Sequence, residues 1–371
     1  MLKELCLINM AFNDHNLKLT EQQYRDLDIP SYSMLASIDK QGVDVVHGVK
    51  QSFNLKFGSL VDMMCFEPNR VDDTFYKGAS AKPPTTNVKN ICDLILQDLD
   101  GKVGEVAKVD SPLGRRKDVK ISNKISNYKR EIVINASKLK IYKSYSEEKT
   151  IETVVKAGAE YFKDKITSRG KILIKPEMWQ HAAHTAATLI THKYTAKYFQ
   201  HNVPGVEIIY QYKFDTVVNG HRVKGMLDCV VINHKAKLIF PVDLKTGESP
   251  CKDFQMLFTA HRYYIQGALY REALKSIVDN DFDLMGYEVK PFEFVYISKL
   301  NPNRPMKFIV DEDMHIASLN GFTDRFGYEY KGVYPLLEDY YYSKQNDVDY
   351  NEEEVLNKGI VNMDYNSITG K

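Results

Sequence analysis

Residues 237–246 read Lys237-Leu238-Ile239-Phe240-Pro241-Val242-Asp243-Leu244-Lys245-Thr246. Side chains alternate between the two faces of a strand, so Leu238, Phe240, Val242 and Leu244 make one wholly apolar face. The other face runs Ile239, Pro241, Asp243, Lys245, and so ends on a carboxylate with an ammonium beside it. Such an end needs partners, because an isolated buried charge is very costly. Upstream, alternation marks two further strands, 206–218 and 222–233, with turns at Asn219-Gly220 and near Asn233-His234. Asn-Gly between alternating runs is a strong hairpin signal. The middle strand carries Asp228 on one face with Met226 and Val230, a lone acid among apolar neighbours that calls for a cation.

Two carboxylates on adjacent strands with a lysine beside them make a magnesium site. Mg²⁺ prefers hard oxygen ligands, keeps several waters, and is usually held by one or two carboxylates plus substrate phosphate. Such an ion polarises a phosphodiester and lowers the pKa of a water that attacks phosphorus. Lys245 can orient that water or steady charge on the phosphate oxygens. Glu207, at the start of the first strand, is the candidate third acid, with Gln211 on the same face as its competitor. The alternative is a buried salt bridge between Lys245 and either acid. Asp118-Val119-Lys120 has the same acid-x-lysine form, but the charged run from Arg115 to Lys120 reads as a solvated face. Context separates the two: 243–245 ends an apolar strand, follows a hairpin and precedes a helix.

The remaining chain sets bounds. With 371 residues it can hold one large domain or two smaller ones. Net charge is +1, so attraction for nucleic acid must come from local patches. No stretch approaches the ~20 apolar residues of a membrane span, and Met1–Asn16 does not read as a secretory signal. Cys6, Cys65, Cys92, Cys229 and Cys251 are scattered without a CxxC pair, which argues against a disulfide framework, a thiolate zinc site or an iron–sulfur cluster. A reduced cytoplasm is the expected location.

The chain divides into four expected parts: 1–76, a helical N-terminal portion; 77–170, an insertion or variable subdomain; 171–342, the core; and 343–371, an acidic, loosely ordered tail. Ser31-Tyr32-Ser33 is a helix start, and Leu60–Phe66 a buried helix ending before Pro68. Helices are expected at 146–168 and 176–200, the latter with Pro176 in its first turn. His181 and His184 share a face of that helix, but without a third ligand nearby a packed surface is preferred to zinc. A helix at 253–276, a β-rich piece at 288–299, a strand at 306–310 and a Tyr-rich helical segment follow. Pro241 implies a bulge or a gap in the pairing of its strand.

Gly225-Met226-Leu227-Asp228, then Asp243-Leu244-Lys245-Thr246, then Gln266-Gly267-Ala268-Leu269-Tyr270 resembles the three sequential motifs G-x-x-D, D-x-K-T and Q-x-x-x-Y. These belong to the RecB-like branch of PD-(D/E)xK nucleases. Ser31–Ser33, Gly58-Ser59-Leu60-Val61-Asp62 with Glu67-Pro68, and Trp179–Phe199 are similar to the phage-type RecE (exodeoxyribonuclease VIII-like) exonucleases. The resemblance covers about 30–70 and 172–300. It implies an α/β (α+β) restriction-endonuclease-like core, a mixed β-sheet flanked by helices, with an inserted subdomain. It implies a hydrolase acting on DNA phosphodiesters with Mg²⁺ or Mn²⁺, most naturally an exonuclease on linear double-stranded DNA with a free end, in phage-type recombination or repair. Asp228, Asp243, the Leu244 carbonyl and Asp62 would be metal ligands, Lys245 the catalytic lysine and Glu207 a further catalytic acid. The family commonly has histidine where this chain has Asp62. Gln266 and Tyr270 would support the site and the DNA, and Thr246 would hold a phosphate or cap the strand end. Implied partners are DNA, further copies of the chain in a homo-oligomer, and a single-strand annealing protein. The competing expectations are a non-cutting DNA-binding or assembly protein on the same fold, and a structure-specific endonuclease.

Overall fold

The alternation along 206–247 is realised as three antiparallel neighbours: β1 (Val206–Val218), β2 (His221–Asn233) and β3 (Leu238–Gly247). The computed structural model describes residues 12–41, 56–79, 84–99, 107–110, 116–119, 122–168 and 170–346. The N-terminal stretch before residue 12, part of the Arg115–Lys120 run and the acidic tail from residue 347 lie outside these. Asn219 and Gly220 both take positive φ (49° and 78°), the geometry of a two-residue hairpin turn whose twist matches its strands. That turn fixes the β1–β2 register from Val218↔His221 to Val206↔Asn233.

The chain divides into two units, 1–58 with 185–371, and 59–184. The second takes in more than the 77–170 insertion expected: residues 59–76 and 171–184 belong with it. In the first unit a mixed sheet runs in the order β6 (Asn301–Ile309), β5 (Glu293–Ser298), β3, β2, β1, with β4 (Glu288–Val289) also on β3. β4 and β5 lie parallel to β3, and the other neighbours are antiparallel.

Pro241 sits where the parallel side of β3 changes partner. β4 pairs with Leu238 and Ile239, and β5 resumes at Val242. The carbonyls of Lys237, Ile239 and Gly247 accept from that side, from the amides of Glu288, Lys290 and Lys299. Backbone groups alternate direction along a strand, so the nitrogen of Pro241 faces the interval between β4 and β5. The donor a proline lacks thus falls in the interval between the two partner strands. This is the gap its presence implied.

One face of the sheet buries α3 (Tyr263–Asn280), of which Tyr264, Ile265, Ala268, Leu269, Ala273 and Leu274 are fully buried. A single helix over 253–276 was expected. The structure breaks it into α2 (Phe254–Ala260) and α3 at Arg262, which is left-handed with φ 60°. The break is held from α1 (Tyr32–Gln41): Asp39 pairs with the Arg262 guanidinium, and the Tyr32 hydroxyl donates to the His261 carbonyl at 2.8 Å. No glycine or proline marks the spot, so local sequence could not reveal it. Lys224 ties down the segment before α1. Its buried ammonium donates to the carbonyls of Tyr24, Arg25 and Leu27 at 2.9, 3.1 and 2.6 Å. Helices α4 (Glu312–Asn320) and α5 (Val333–Asn346) also belong to the unit, with a two-stranded sheet of Gly321–Thr323 and Glu329–Lys331 between them.

The second unit has its own core. Helices Thr86–Asp98, Lys129–Lys138 and Glu147–Thr167 bury Ile91, Cys92, Ile95, Ile132, Val154 and Phe162 against one another. Phe75–Lys77 pairs in parallel with Ile172–Ile174, and Ala107–Asp110 antiparallel with Arg116–Val119. Among the described residues no helix is long and apolar enough to cross a membrane.

Candidate active site

The β2–β3 ladder stops at Cys229↔Val242. Continuing the register would set Asp228 opposite Asp243 and Leu227 opposite Leu244. Instead the strands part, and Asp228 fills the opening: its Oδ2 accepts from the Leu244 amide at 2.8 Å. The carbonyl of Leu244 opens on the same gap, since N–H and C=O of one strand residue point the same way. Asp228 and Asp243 therefore lie abreast on the helix-facing side of the sheet.

Asp243 is 2 % exposed and each of its oxygens is engaged. Oδ2 accepts from Gln266 Nε2 at 2.6 Å, and Oδ1 lies 2.5 Å from Lys245 Nζ. Gln266 reaches Asp243 from the second turn of α3. One turn earlier on the same face, Tyr263 puts its ring beneath the Lys245 ammonium, 4.9 Å from the centroid. Tyr263 was legible as a same-face neighbour of Gln266, yet was not singled out from sequence.

Burial, and then the negative charge of Asp243, push Asp228 up to about 7, against the opposing pull of Lys245, the Leu244 amide and Gln211. Burial likewise raises Asp243, with Lys245 and Gln266 pulling it back. Burial acts to lower Lys245, but the Asp243 carboxylate leads the charges that outweigh it and hold the ammonium above its ordinary value. A single lysine thus serves two acids, and the charge of Asp243 opposes the ionisation of Asp228.

The expected third acid is elsewhere. Glu207 lies opposite Ile232, four residues along β2 from Asp228, and its carboxylate bonds His234 Nε2 at 3.0 Å. At about 3.3 Å per residue that displacement is roughly 13 Å, too far to share an ion with Asp228. Gln211 stands opposite Asp228, out of the ladder with φ 49°, and its amide is 3.4 Å from Asp228 Oδ1. Counting back from the Asn219-Gly220 turn would have chosen Gln211 over Glu207.

The remaining candidates are placed as follows. Tyr270, 6 % exposed, packs edge-on against Phe214 at 5.6 Å and 89°, beside Gly225. It supports the hairpin from within the core. Thr246 pairs with Ile297, and its Oγ1 would lie 3.1 Å from a Cβ placed on Gly58. Asp62 belongs to the helix Lys56–Phe66 and falls in the second unit.

No family model matches the chain, and no curated protein matches it. Among solved structures, a candidate exonuclease from Eubacterium rectale aligns with 95 % of this chain and 98 % of its own at 14 % identity, with a TM-score of 0.44. The structure of SSO0001 aligns with 61 % of this chain and 76 % of its own at 14 % identity, with a TM-score of 0.21. Likenesses at this level assign the chain neither fold nor function.

Proposed function

We propose that the chain is a metal-dependent deoxyribonuclease of the restriction-endonuclease-like type, an exonuclease acting on linear double-stranded DNA in phage-type recombination or repair. The observation that carries this reading is the pair Asp228 and Asp243, abreast where the β2–β3 ladder parts, with Lys245 on Asp243. The order of the G-x-x-D, D-x-K-T and Q-x-x-x-Y motifs supports it.

The donor set suits a hard divalent cation. It consists of two carboxylates and the Leu244 carbonyl, all oxygen, and the mutual repulsion of the carboxylates is relieved by positive charge. Asp228, Asp243 and Leu244 would hold Mg²⁺ or Mn²⁺. When bound, such an ion polarises the phosphodiester and makes water a better nucleophile. Gln266 fixes the Asp243 carboxylate through Oδ2. Lys245, drawn toward Asp243 and backed by Tyr263, presents a fixed cation to the charge that builds on the phosphate oxygens. In the hydrolysis a water oxygen bonds to phosphorus, the ester P–O bond breaks, and the departing oxygen gains a proton.

The test is degradation of end-labelled linear and closed circular duplex DNA with Mg²⁺, Mn²⁺ or EDTA. Wild type is run beside Asp243→Asn and Lys245→Ala. Asp62→Asn in the same series tests the ligand role that the resemblance gives it. The expected result is metal-dependent loss of the linear substrate alone, reduced at least ~100-fold in the first two variants. Cutting of the circle would replace the exonuclease reading with an endonuclease on the same residues. Intact DNA with folded protein in both metals would overturn the nuclease reading.

A further inference from the structure

In the second unit the helix Lys129–Lys138 ends in a complete Schellman motif. The amide of Ile141 donates to the Ala136 carbonyl at 3.1 Å, and that of Lys140 to the Ser137 carbonyl at 3.0 Å. The motif requires a left-handed residue after the helix, and glycine is the usual occupant. Here it is Lys140, with φ 56°, and Tyr142 is left-handed as well, with φ 55°. Two side-chain-bearing residues thus accept backbone strain within three positions, and such strain concentrates where a side chain is needed.

What those side chains build is basic and aromatic. Lys138, Lys140, Lys143 and Lys149 are exposed, and none makes an ion pair among the described residues. The rings of Tyr142 and Tyr145 stack at 5.2 Å and 27°, and Lys149 Nζ lies 4.4 Å from the Tyr145 centroid. Tyr145 is 38 % exposed. A hollow of about 290 Å³ opens between Lys140, Ile141, Tyr142, Lys143, Tyr145 and the acid Glu147. Two acids are near, Glu147 and Glu148 in the first turn of the helix Glu147–Thr167. Glu148 is turned to its own backbone amide and to Ser146, which lower its pKa. A merely solvated face interleaves its lysines with paired acids; among the described residues this one leaves four cations without an ion-paired acid around two stacked rings.

We propose that residues 138–149 form a binding surface for single-stranded DNA, with phosphates on the four lysines and a base against the Tyr142–Tyr145 stack. Unpaired cations supply the sequence-independent attraction, and aromatic rings accept any base on their faces. The choice of DNA rests on the nuclease reading, but binding here needs no metal.

The test measures binding of a fluorescent 20-mer of thymidylate to the full chain in EDTA, by anisotropy, across a salt series. The variants are Lys140→Gly, the triple Lys138→Ala/Lys143→Ala/Lys149→Ala, and Tyr145→Ala. Each lost lysine contact should reduce the log–log salt slope by about 0.7, so the triple variant should lose about 2 from its slope. Tyr145→Ala should weaken binding ~5-fold or more without changing the slope. Lys140→Gly should bind more weakly while melting at a higher temperature, which a folding defect cannot produce. Unchanged affinity and slope in the triple variant, or no binding by wild type at low salt, would overturn the proposal. So would variants that bind the oligonucleotide normally but lose binding to phosphatidylserine vesicles. Intact binding without cleavage would leave this surface standing and remove the nuclease reading. Cleavage with unchanged binding in the variants would do the reverse.

Discussion

Gly225 has no Cβ because two rings already occupy its place. A Cβ built there would lie 2.1 Å from Phe214 and 2.8 Å from Tyr270, far inside contact distance. The glycine in G-x-x-D is thus a packing requirement three residues before Asp228, and Tyr270 contributes to the site by filling the space it leaves. Gly225→Ala should destabilise the first unit by about 1–3 kcal/mol or more, because rings held on both sides cannot yield without off-rotamer shifts. Calorimetry should show a lower midpoint; an unshifted melt would mean that the rings move freely. Gln266 belongs to the same scale. One amide hydrogen bond sets the orientation of Asp243, while the Gln266 Oε1 has no hydrogen-bond partner among the described residues, an acceptor left over at the site.

At the scale of elements, the hairpins were the most legible part. Alternation along 206–218, 222–233 and 237–245, together with Asn219-Gly220, marks the strands that carry Asp228, Asp243 and Lys245. What was not legible depends on contacts distant in sequence. The break at Arg262 is imposed by Asp39 and Tyr32, and the parting of β2 from β3 is seen only in the register. Glu207 was favoured over Gln211 because alternation alone puts both on one face. Between helices, α3 is joined to α4 by Glu272 and Arg271. Glu272 accepts from His315 and Lys275 at 2.8 Å each, and Arg271 donates to Glu312 at 2.7 Å. Burial opposes the ionisation of Glu272, but the hydrogen bonds from His315 and Lys275 outweigh it and hold its carboxyl down at about 2. An unfolded glutamate titrates near ~4.3. The native form therefore holds fewer protons between those values, and the stabilisation is full above ~4.3 and lost as pH falls toward ~2. Glu272→Gln should flatten the fall in melting temperature across that acid window. An equally steep fall in the variant would show that other carboxylates govern it.

For the whole molecule, a core within each unit predicts separable unfolding. One cluster centres on β1–β5 and α3, the other on the helices Thr86–Asp98, Lys129–Lys138 and Glu147–Thr167. Scanning calorimetry should resolve more than one transition. Glu272→Gln should move only one of them, and Lys140→Gly only the other, upward by about 0.5–1 kcal/mol in stability. A single transition shifted by both would mean that the cores unfold together. Net charge near neutrality, at +1, leaves affinity for any polyanion to local patches, so the reach of such affinity across the molecule is short. The proline in the middle of β3 works on the assembly of the sheet. With no amide to offer, Pro241 acts as a key cut for one lock. Sliding β3 by two places against β4 and β5 would bring an N–H-less nitrogen against a carbonyl awaiting a donor, and a slide by one would turn Asp243 and Lys245 to the opposite face. The partner seen there arrives in two pieces, with residues 290–292 bridging the interval beside the proline. The same residue that interrupts the ladder therefore proofreads it, so that a sheet bonded correctly along β3 is also one in which the two aspartates have met.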